Sequence, residues 1–338
     1  MEAYAGLDLH GDNVYCGISD ENDKRLFEKR FPCDIETISK DLEPYRTCLK
    51  GVAVESTFNW YWLVDGLKER SFPVRLASPS GMEQYNGLKH GNDKSDSFFL
   101  AKMMRLGILP EGYIYPKEER AVRDLLRRRM RLVQIRSGRI LSLEALWNRE
   151  TGKELSSNAA KTLTEKDLEE ALNDKHVRMS AKQMTEHVAF LDGQIKELEK
   201  LVLKQANLKA EFTGLLTVPG IGKILAMTIV METGDIKRFP SPGDYASYCR
   251  TVNSELSSNG KKKGKGNTKN GNRYQAWAYV EAANFMVRHC PEAKAYFQRK
   301  MSRTLRVVAI KSLAAKIAKA CYFIMRDGVA FDVKKMFG

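Results

Sequence analysis

The first 108 residues alternate short apolar runs with amphipathic ones, and that alternation limits the fold more than any other feature of the chain. Apolar runs at 3–9, 13–19, 26–31, 51–55 and 73–77 read as strands. The stretches 34–44, 60–70, 80–87 and 95–106 read as helices. Strands interleaved with helices predict a mixed sheet covered by helices. Asp12-Asn13 fits a tight turn between the first two strands, a hairpin opening.

Four acids stand in or beside these runs. Asp8 is the one acid at the centre of Ala3-Tyr4-Ala5-Gly6-Leu7-Asp8-Leu9-His10, and Glu55 ends Val52-Ala53-Val54-Glu55. Asp93 and Asp96 stand three apart, just before Phe98-Phe99-Leu100-Ala101. Any one of them alone reads as a surface or helix-capping residue. Together they read differently. A carboxylate in an apolar strand is costly to bury without a partner, and metal coordination compensates for that cost. Oxygen ligands point to Mg²⁺ or Mn²⁺ rather than zinc. Two such metals can stabilise both the attacking and the leaving oxygen of a phosphodiester. His10, two residues past Asp8, lies on the same side of the strand and could assist, although a lone histidine there more often has a structural role.

Charge is distributed unevenly. Residues 1–110 carry 14 Lys/Arg and 17 Asp/Glu, so the net charge of +14 belongs to the rest of the chain. Within 258–319, 15 basic residues face two acids, Glu281 and Glu292. A basic stretch this uneven is the footprint of a polyanion partner, and nucleic acid is favoured over a merely solvated basic face. The six cysteines form no CxxC pair, so neither a zinc site nor a disulfide framework is expected. No apolar run approaches the roughly 20 residues of a membrane span. No signal peptide is read at Met1-Glu2-Ala3, and a reducing cytoplasm is the expected location.

Two long helices are expected in the middle of the chain. Val122, Leu126, Met130 and Val133 keep helical spacing over 118–147, around the run Arg127-Arg128-Arg129. Val188, Leu191, Ile195, Leu198 and Val202 alternate spacings of three and four over 180–206, an a/d seam. Its partner is either the helix 118–147 or a second protomer. Short helices are expected in the polar segment 148–180.

Further on, Pro219-Gly220-Ile221-Gly222-Lys223 reads as the hairpin of a helix-hairpin-helix DNA-binding module, whose amides can hold a phosphate. A plain inter-helix turn is the simpler alternative. Residues 251–273 are rich in glycine, lysine and asparagine and predict a flexible basic loop. Helices are expected to return at 272–289, 291–301 and 304–327. Core packing is the expected role of Trp277, although the aromatic groups of Tyr274 and Trp277 could also stack on bases.

These motifs, in this order, resemble the RuvC-like (RNase H-like) DEDD transposases of insertion sequences, of the Piv/MooV invertase type, a bridge-RNA-guided recombinase family. Gly6-Leu7-Asp8-Leu9-His10, Val54-Glu55-Ser56-Thr57 and Asn92-Asp93-Lys94-Ser95-Asp96 carry the likeness in the first part. Thr217-Val218-Pro219-Gly220-Ile221-Gly222, Gly234-Asp235-Ile236-Lys237-Arg238-Phe239, Tyr245-Ala246-Ser247-Tyr248, and Ser257-Ser258-Asn259-Gly260 leading to Asn272-Arg273 carry it in the second. The chain departs from the family pattern at Asn259, which stands between the serine and Gly260, and at Cys249-Arg250-Thr251-Val252-Asn253.

The resemblance implies a site-specific DNA recombinase. Asp8, Glu55, Asp93 and Asp96 would bind divalent metal, and a serine at 258, or at 257, would form a covalent phosphoserine link to DNA. It further implies donor and target DNA, a structured noncoding guide RNA, and a homo-oligomer: a dimer, and a tetramer in the synaptic complex. The nucleic-acid contacts expected on this basis are Arg127, Arg128, Arg129, Gly220, Gly222, Lys223, Lys261, Lys262, Lys263, Lys265, Lys269 and Arg273. The expected organisation is a RuvC-like α/β domain over 1–110, a helical coiled-coil stalk over 111–212, and a mainly α domain with the hairpin module and the serine over 213–338. Two rivals are a hydrolytic, metal-dependent nuclease of the junction-resolvase kind, which needs the acids but no serine, and a non-enzymatic nucleic-acid-binding protein, which needs neither.

Overall fold

A computed structural model describes residues 1–88, 92–205, 210–252, 255–259, 261–265 and 270–338; at 86–88, 210, 255–258, 262, 264 and 265 it describes the backbone alone. The chain divides into two units, Met1–Lys117 and Glu118–Gly338.

The first unit is built on a five-stranded sheet of β1 (Ala3–Leu9), β2 (Asn13–Asp20), β3 (Arg25–Pro32), β4 (Leu49–Glu55) and β5 (Val74–Ala77), in the order β3-β2-β1-β4-β5. The first three strands pair antiparallel; β1 pairs β4, and β4 pairs β5, in parallel. The amide of His10 donates to the Asn13 carbonyl at 2.9 Å, closing the β1–β2 hairpin where Asp12-Asn13 predicts it. Parallel strands need crossovers. Helices α1 (Ile35–Leu42) and α2 (Tyr61–Glu69) supply them, packed on Leu7, Val52 and Val54. A short helix α3 (Pro79–Met82) follows β5. This is the mixed α/β sheet covered by helices that the alternating runs predict.

The opposite face of the sheet receives helix α4 (Asp93–Arg105), and glycine lets it approach. A Cβ on Gly6 of β1 would lie 1.9 Å from the Ser97 carbonyl oxygen, and one on its cross-strand partner Gly17 would lie 2.8 Å from the Ser97 hydroxyl. Side chains alternate across a strand. Asp8 therefore shares the face of Gly6, and Glu55 that of Ala53, the residue paired with Gly6. The same groove that seats α4 brings its first turn toward Asp8.

The second unit opens with α5 (Lys117–Thr151); α6 (Ser157–Ala160), α7 (Glu165–Ala171) and α8 (Lys175–Lys204) follow. The seam residues Val188, Leu191, Ile195 and Val202 are all buried. They pack in turn with Ile140 and Leu143, with Leu132, and with Leu126 of α5. Ion pairs Arg129–Glu199 and Arg136–Asp192 descend one helix as they climb the other, so the two run antiparallel. The partner of the seam is the chain's own α5.

A helical core completes this unit: α9 (Ala210–Leu216), α10 (Lys223–Thr233), α11 (Pro242–Tyr248), α12 (Arg273–His289), α13 (Pro291–Met301), α14 (Arg306–Asp327) and α15 (Val333–Phe337). Helix α10 is apolar all round and almost wholly buried. Gly220, at φ +90°, turns the chain between α9 and α10, where a Cβ would lie 2.5 Å from the Ala282 carbonyl oxygen. Trp277 packs against this core.

One segment differs from expectation. Part of the 251–273 segment is not a loop but a hairpin of β6 (Glu255–Ser258) and β7 (Lys261–Lys265). Its glycines and lysines hide the strand signal, and backbone pairing rather than an apolar face defines it. Asn259 takes φ 52° at the turn, a conformation that asparagine tolerates better than most residues.

Candidate active site

Asp8 is the centre of the first unit's site. It is 3% exposed, on the central strand. One of its carboxylate oxygens lies 3.2 Å from Nε2 of His10, which lies 3.4 Å from a carboxylate oxygen of Asp93. Ligand atoms of Asp8, His10 and Asp93 all fall within 4.8 Å of one another. Asn92 caps α4 by accepting from the Ser95 amide at 2.8 Å, so the capping role that either Asp93 or Asp96 could have filled falls to neither. Asn59 holds His10 in turn, donating from Nδ2 to its carbonyl at 2.8 Å.

The electrostatics of Asp8 fit this crowding. Burial raises its pKa to about 7 from an ordinary 3.8; the charge and hydrogen bond of Glu55 and the charge of Asp96 push the same way, against the pull of His10. All four predicted acids therefore bear on one place: Asp93 through His10, Glu55 and Asp96 through Asp8. A cluster of acids that burial and mutual repulsion discourage from ionising suits a divalent cation. The donor set of carboxylate oxygens with one imidazole is of the kind that accepts Mg²⁺ or Mn²⁺. The sequence allowed His10 to assist but favoured a structural role for it; its place two residues beyond Asp8, on the same side of the strand, was the signal that joined it to the acids.

In the second unit the basic residues divide. Arg127 and Arg129, expected at nucleic acid, have partners within the chain. Arg127 grips Glu232 through Nε at 2.5 Å and Nη2 at 2.8 Å, with its guanidinium 4.3 Å from the centre of the Tyr274 ring. Arg129 donates twice to Glu199. Arg128 between them faces solvent. Glu232 is wholly buried, and also accepts from Arg123 at 2.9 Å and from Asn272 at 2.7 Å. Burial alone would raise its pKa, but the Arg127 hydrogen bond, the charges of Arg123 and Arg127, and the Asn272 amide hold it below the ordinary 4.5.

Asn272 is also the cap of α12, and its amide donates to the Tyr248 carbonyl at 2.6 Å. Beside it, Nε of Arg250 donates to the Asn270 carbonyl at 2.9 Å. These bonds tie together the two ends of the segment that holds the β6–β7 hairpin. Ser257 and Ser258 lie on β6, with Ser258 paired to Lys261 and Ser257 to Lys262. Lys261 and Lys263 are exposed, and the Lys262 and Lys265 side chains and all of Lys269 lie outside the described residues. Arg273 is exposed and lies over Tyr274, donating to its hydroxyl at 2.9 Å. At the start of α10, Gly222 and Lys223 are exposed; a Cβ on Gly222 would meet nothing within 4 Å, so packing does not demand this glycine.

Comparison with known proteins agrees with both halves. Residues 5–149 match the IS110 DEDD family described as "Transposase", and residues 213–298 match "Transposase IS116/IS110/IS902 family". The chain is 24% identical over 246 residues to the "Probable family 20 transposase" of Pseudomonas aeruginosa, covering 71% of this chain and 72% of that one. It is 23% identical over 335 residues to the "Transposase for insertion sequence element IS1328" of Yersinia enterocolitica, covering 97% and 98%. Among solved structures, Thermus thermophilus RuvC in complex with a Holliday junction substrate matches 33% of this chain and 100% of its own, at 14% identity and a TM-score of 0.27. No described helix is long and apolar enough to cross a membrane. With a DEDD part, a transposase part, and a transposase relative aligned along nearly its whole length, the chain belongs to the IS116/IS110/IS902 family of transposases, enzymes that cut and rejoin DNA.

Proposed function

We propose that this transposase uses its four acids to hold divalent metal at the DNA phosphodiester, and a serine of the β6–β7 hairpin to carry the cut strand. The observation that carries the metal half is the convergence on Asp8 of Glu55 and Asp96, with Asp93 joined through His10. A divalent cation there, Mg²⁺ or Mn²⁺, supplies Lewis-acid stabilisation of the charge that develops on the phosphoryl oxygens. The chain's own part is to crowd these oxygens on two interior strands, β1 and β4, and one helix turn. Asn59 and His10 keep Asp8 and Asp93 in register.

The serine half rests on the family motif, with Ser258 the favoured position and Ser257 the neighbour. In the step proposed, the serine oxygen bonds to phosphorus, the bond from phosphorus to one deoxyribose oxygen breaks, and the serine proton ends on the released hydroxyl. A serine hydroxyl needs activation at neutral pH. Pairing of β6 with β7 brings the lysine run 261–263 alongside, where positive charge offsets that of the phosphate. Gly220, Gly222 and Lys223 at the start of α10, together with Arg128, Lys261, Lys262, Lys263, Lys265, Lys269 and Arg273, are the proposed phosphate contacts. Arg127 and Arg129 serve instead to anchor α5 within the unit. A structured RNA from the element would set DNA choice by base pairing while the protein reads backbone and shape. The working form is a homo-oligomer, with the three-part organisation predicted from sequence.

The test is a denaturing-gel assay for a covalent protein–DNA adduct on supercoiled element DNA, with the neighbouring noncoding RNA and Mg²⁺. An adduct in the wild type that disappears in Ser258→Ala supports the serine reading. An adduct that persists moves the nucleophile to Ser257 or elsewhere. Cleaved DNA with no adduct from either protein favours a hydrolytic nuclease.

A further inference from the structure

The second unit contains a cavity of about 490 Å³ that neither the acids nor the serine motif uses. It lies between α12, the first turns of α14, and the turn after α11. Volumes of ~300–1,000 Å³ are usual for small-ligand sites. Its lining has two characters. Val280, Val307 and Ile310 are apolar; Arg250, Arg306 and Lys311 are cationic. Among the described lining residues none is acidic. Asn284 adds a carboxamide able to hydrogen-bond a base edge.

Three features argue that this is a site rather than a packing gap. Val307 remains 77% exposed and its neighbour Leu305 78%, so apolar surface is left open at the mouth of α14. Helix α14 begins without a side-chain cap or an acid in its first turn, and carries Arg306 there instead. A cation at a helix N-terminus opposes the macrodipole, an arrangement that an anion lodged beside it would reverse. Arg250 takes φ 54°, a conformation that costs a non-glycine residue energy and that the surrounding structure must enforce. Its amide donates to the Ser247 carbonyl at 2.9 Å, and its Nε to that of Asn270 at 2.9 Å. The residue that lines the cavity therefore also closes the base of the segment bearing the β6–β7 hairpin.

We infer that this cavity takes one unpaired nucleotide of the DNA substrate, its base against the Val280–Ile310 wall and its phosphate held by the Arg250, Arg306 and Lys311 cations. An apolar slot whose charged lining residues are all cations matches a base joined to a phosphodiester, and the family's substrate is DNA. Extrahelical nucleotides are held in snug pockets of this kind by enzymes that open a duplex. Occupancy would fix a DNA strand beside the hairpin base. This inference goes beyond the serine reading and does not need it, since binding is measured without chemistry.

The full-length protein in EDTA is titrated with a duplex bearing a single-nucleotide bulge of 2-aminopurine, with the same duplex without the bulge, and with an RNA duplex bearing the same bulge. The expected result is binding of the bulged DNA about tenfold tighter than the plain duplex. Val280→Trp, which fills the cavity, should bring the two within about twofold while leaving plain-duplex affinity in place. Ala276→Leu fills it less drastically and should act in the same direction, which keeps the test decisive if the tryptophan variant does not fold. Arg306→Gln with Lys311→Gln should weaken the bulged duplex more than the plain one. Equal affinities for the two DNAs in the wild type overturn the inference, as does a bulge preference that survives in the folded cavity-filling variants. Tighter binding of the RNA bulge would overturn the assignment to DNA. Loss of adduct formation in Ser258→Ala with the bulge preference intact would separate this pocket from the serine chemistry.

Discussion

Among the described residues Glu232 and Asp8 are the carboxylates most withdrawn from water, and they are handled in opposite ways. Glu232 in the second unit is 0% exposed and meets Arg123, Arg127 and Asn272, and its pKa falls. Asp8 in the first unit is 3% exposed and meets a histidine and more acids, and its pKa rises to about 7. One charge is neutralised by the fold, while the other is left to repel its neighbours. A buried ion pair that the chain completes itself is structural; a buried acid cluster that it leaves uncompleted marks a place where something else binds.

The sharpest way to break this contrast is to remove each acid. Asp8→Ala or Glu55→Ala should lower strand cleavage by about 10³-fold or more, with DNA binding near wild type. Cleavage and gel-shift assays on the same preparations check it, and recombination by Asp8→Ala would end the metal-site assignment. Glu232→Ala should do the reverse, costing stability before chemistry. It strands two guanidiniums in a buried site, at about 3–5 kcal/mol. Denaturant unfolding would measure this, and an unchanged midpoint would show that the pair is not structural.

pH sharpens the difference next. Asp8 has a folded pKa above its unfolded value, so its protonated form favours the fold. That contribution is fully present below about pH 4 and is lost as pH rises through about 7. Metal-free protein should therefore melt at lower temperature at pH 8 than at pH 6. Asp8→Asn should remove part of that loss and raise the pH 8 melting temperature by a few degrees. Added Mg²⁺ or Mn²⁺ should stabilise the wild type more at pH 8 than at pH 6. A melting temperature insensitive to both pH and Asp8→Asn would show that the acids do not crowd one another.

The smallest effect expected is at the surface. Lys261→Ala with Lys262→Ala should weaken DNA binding and reduce the salt slope of log K by roughly 2, about 0.9 for each phosphate that a lysine no longer neutralises. A slope that does not change would take the hairpin lysines off the phosphate backbone.

Much of the first unit was legible in the sequence. All five strands and the α4 helix lie within two residues of their expected ends, because short apolar runs are local signals. The four acids were legible as a set, since each interrupts or follows an apolar run or stands just before one. That His10 would join them was legible only in part: strand alternation puts it on the face of Asp8, but a lone histidine is more often structural. The β6–β7 hairpin also escaped, since a run of lysines and glycines has no apolar alternation to read. The arginine run at 127–129 was read by charge alone, and charge does not say that Glu232 lies 105 residues away in sequence but 2.5 Å in space.

What the sequence alone determined is therefore whatever repeats or interrupts locally: the strand and helix order, the a/d seam, the acids, the Pro-Gly turn and the family to which they belong. What only the tertiary structure decided is which of two chemically permitted partners each group takes. The seam at 188–202 suited another protomer as well as α5, and the antiparallel packing of α5 on α8 settles it within the chain. Arg127 suited a phosphate as well as a carboxylate, and burial of Glu232 settles that too, because a charge removed from water must find its counter-charge in the fold.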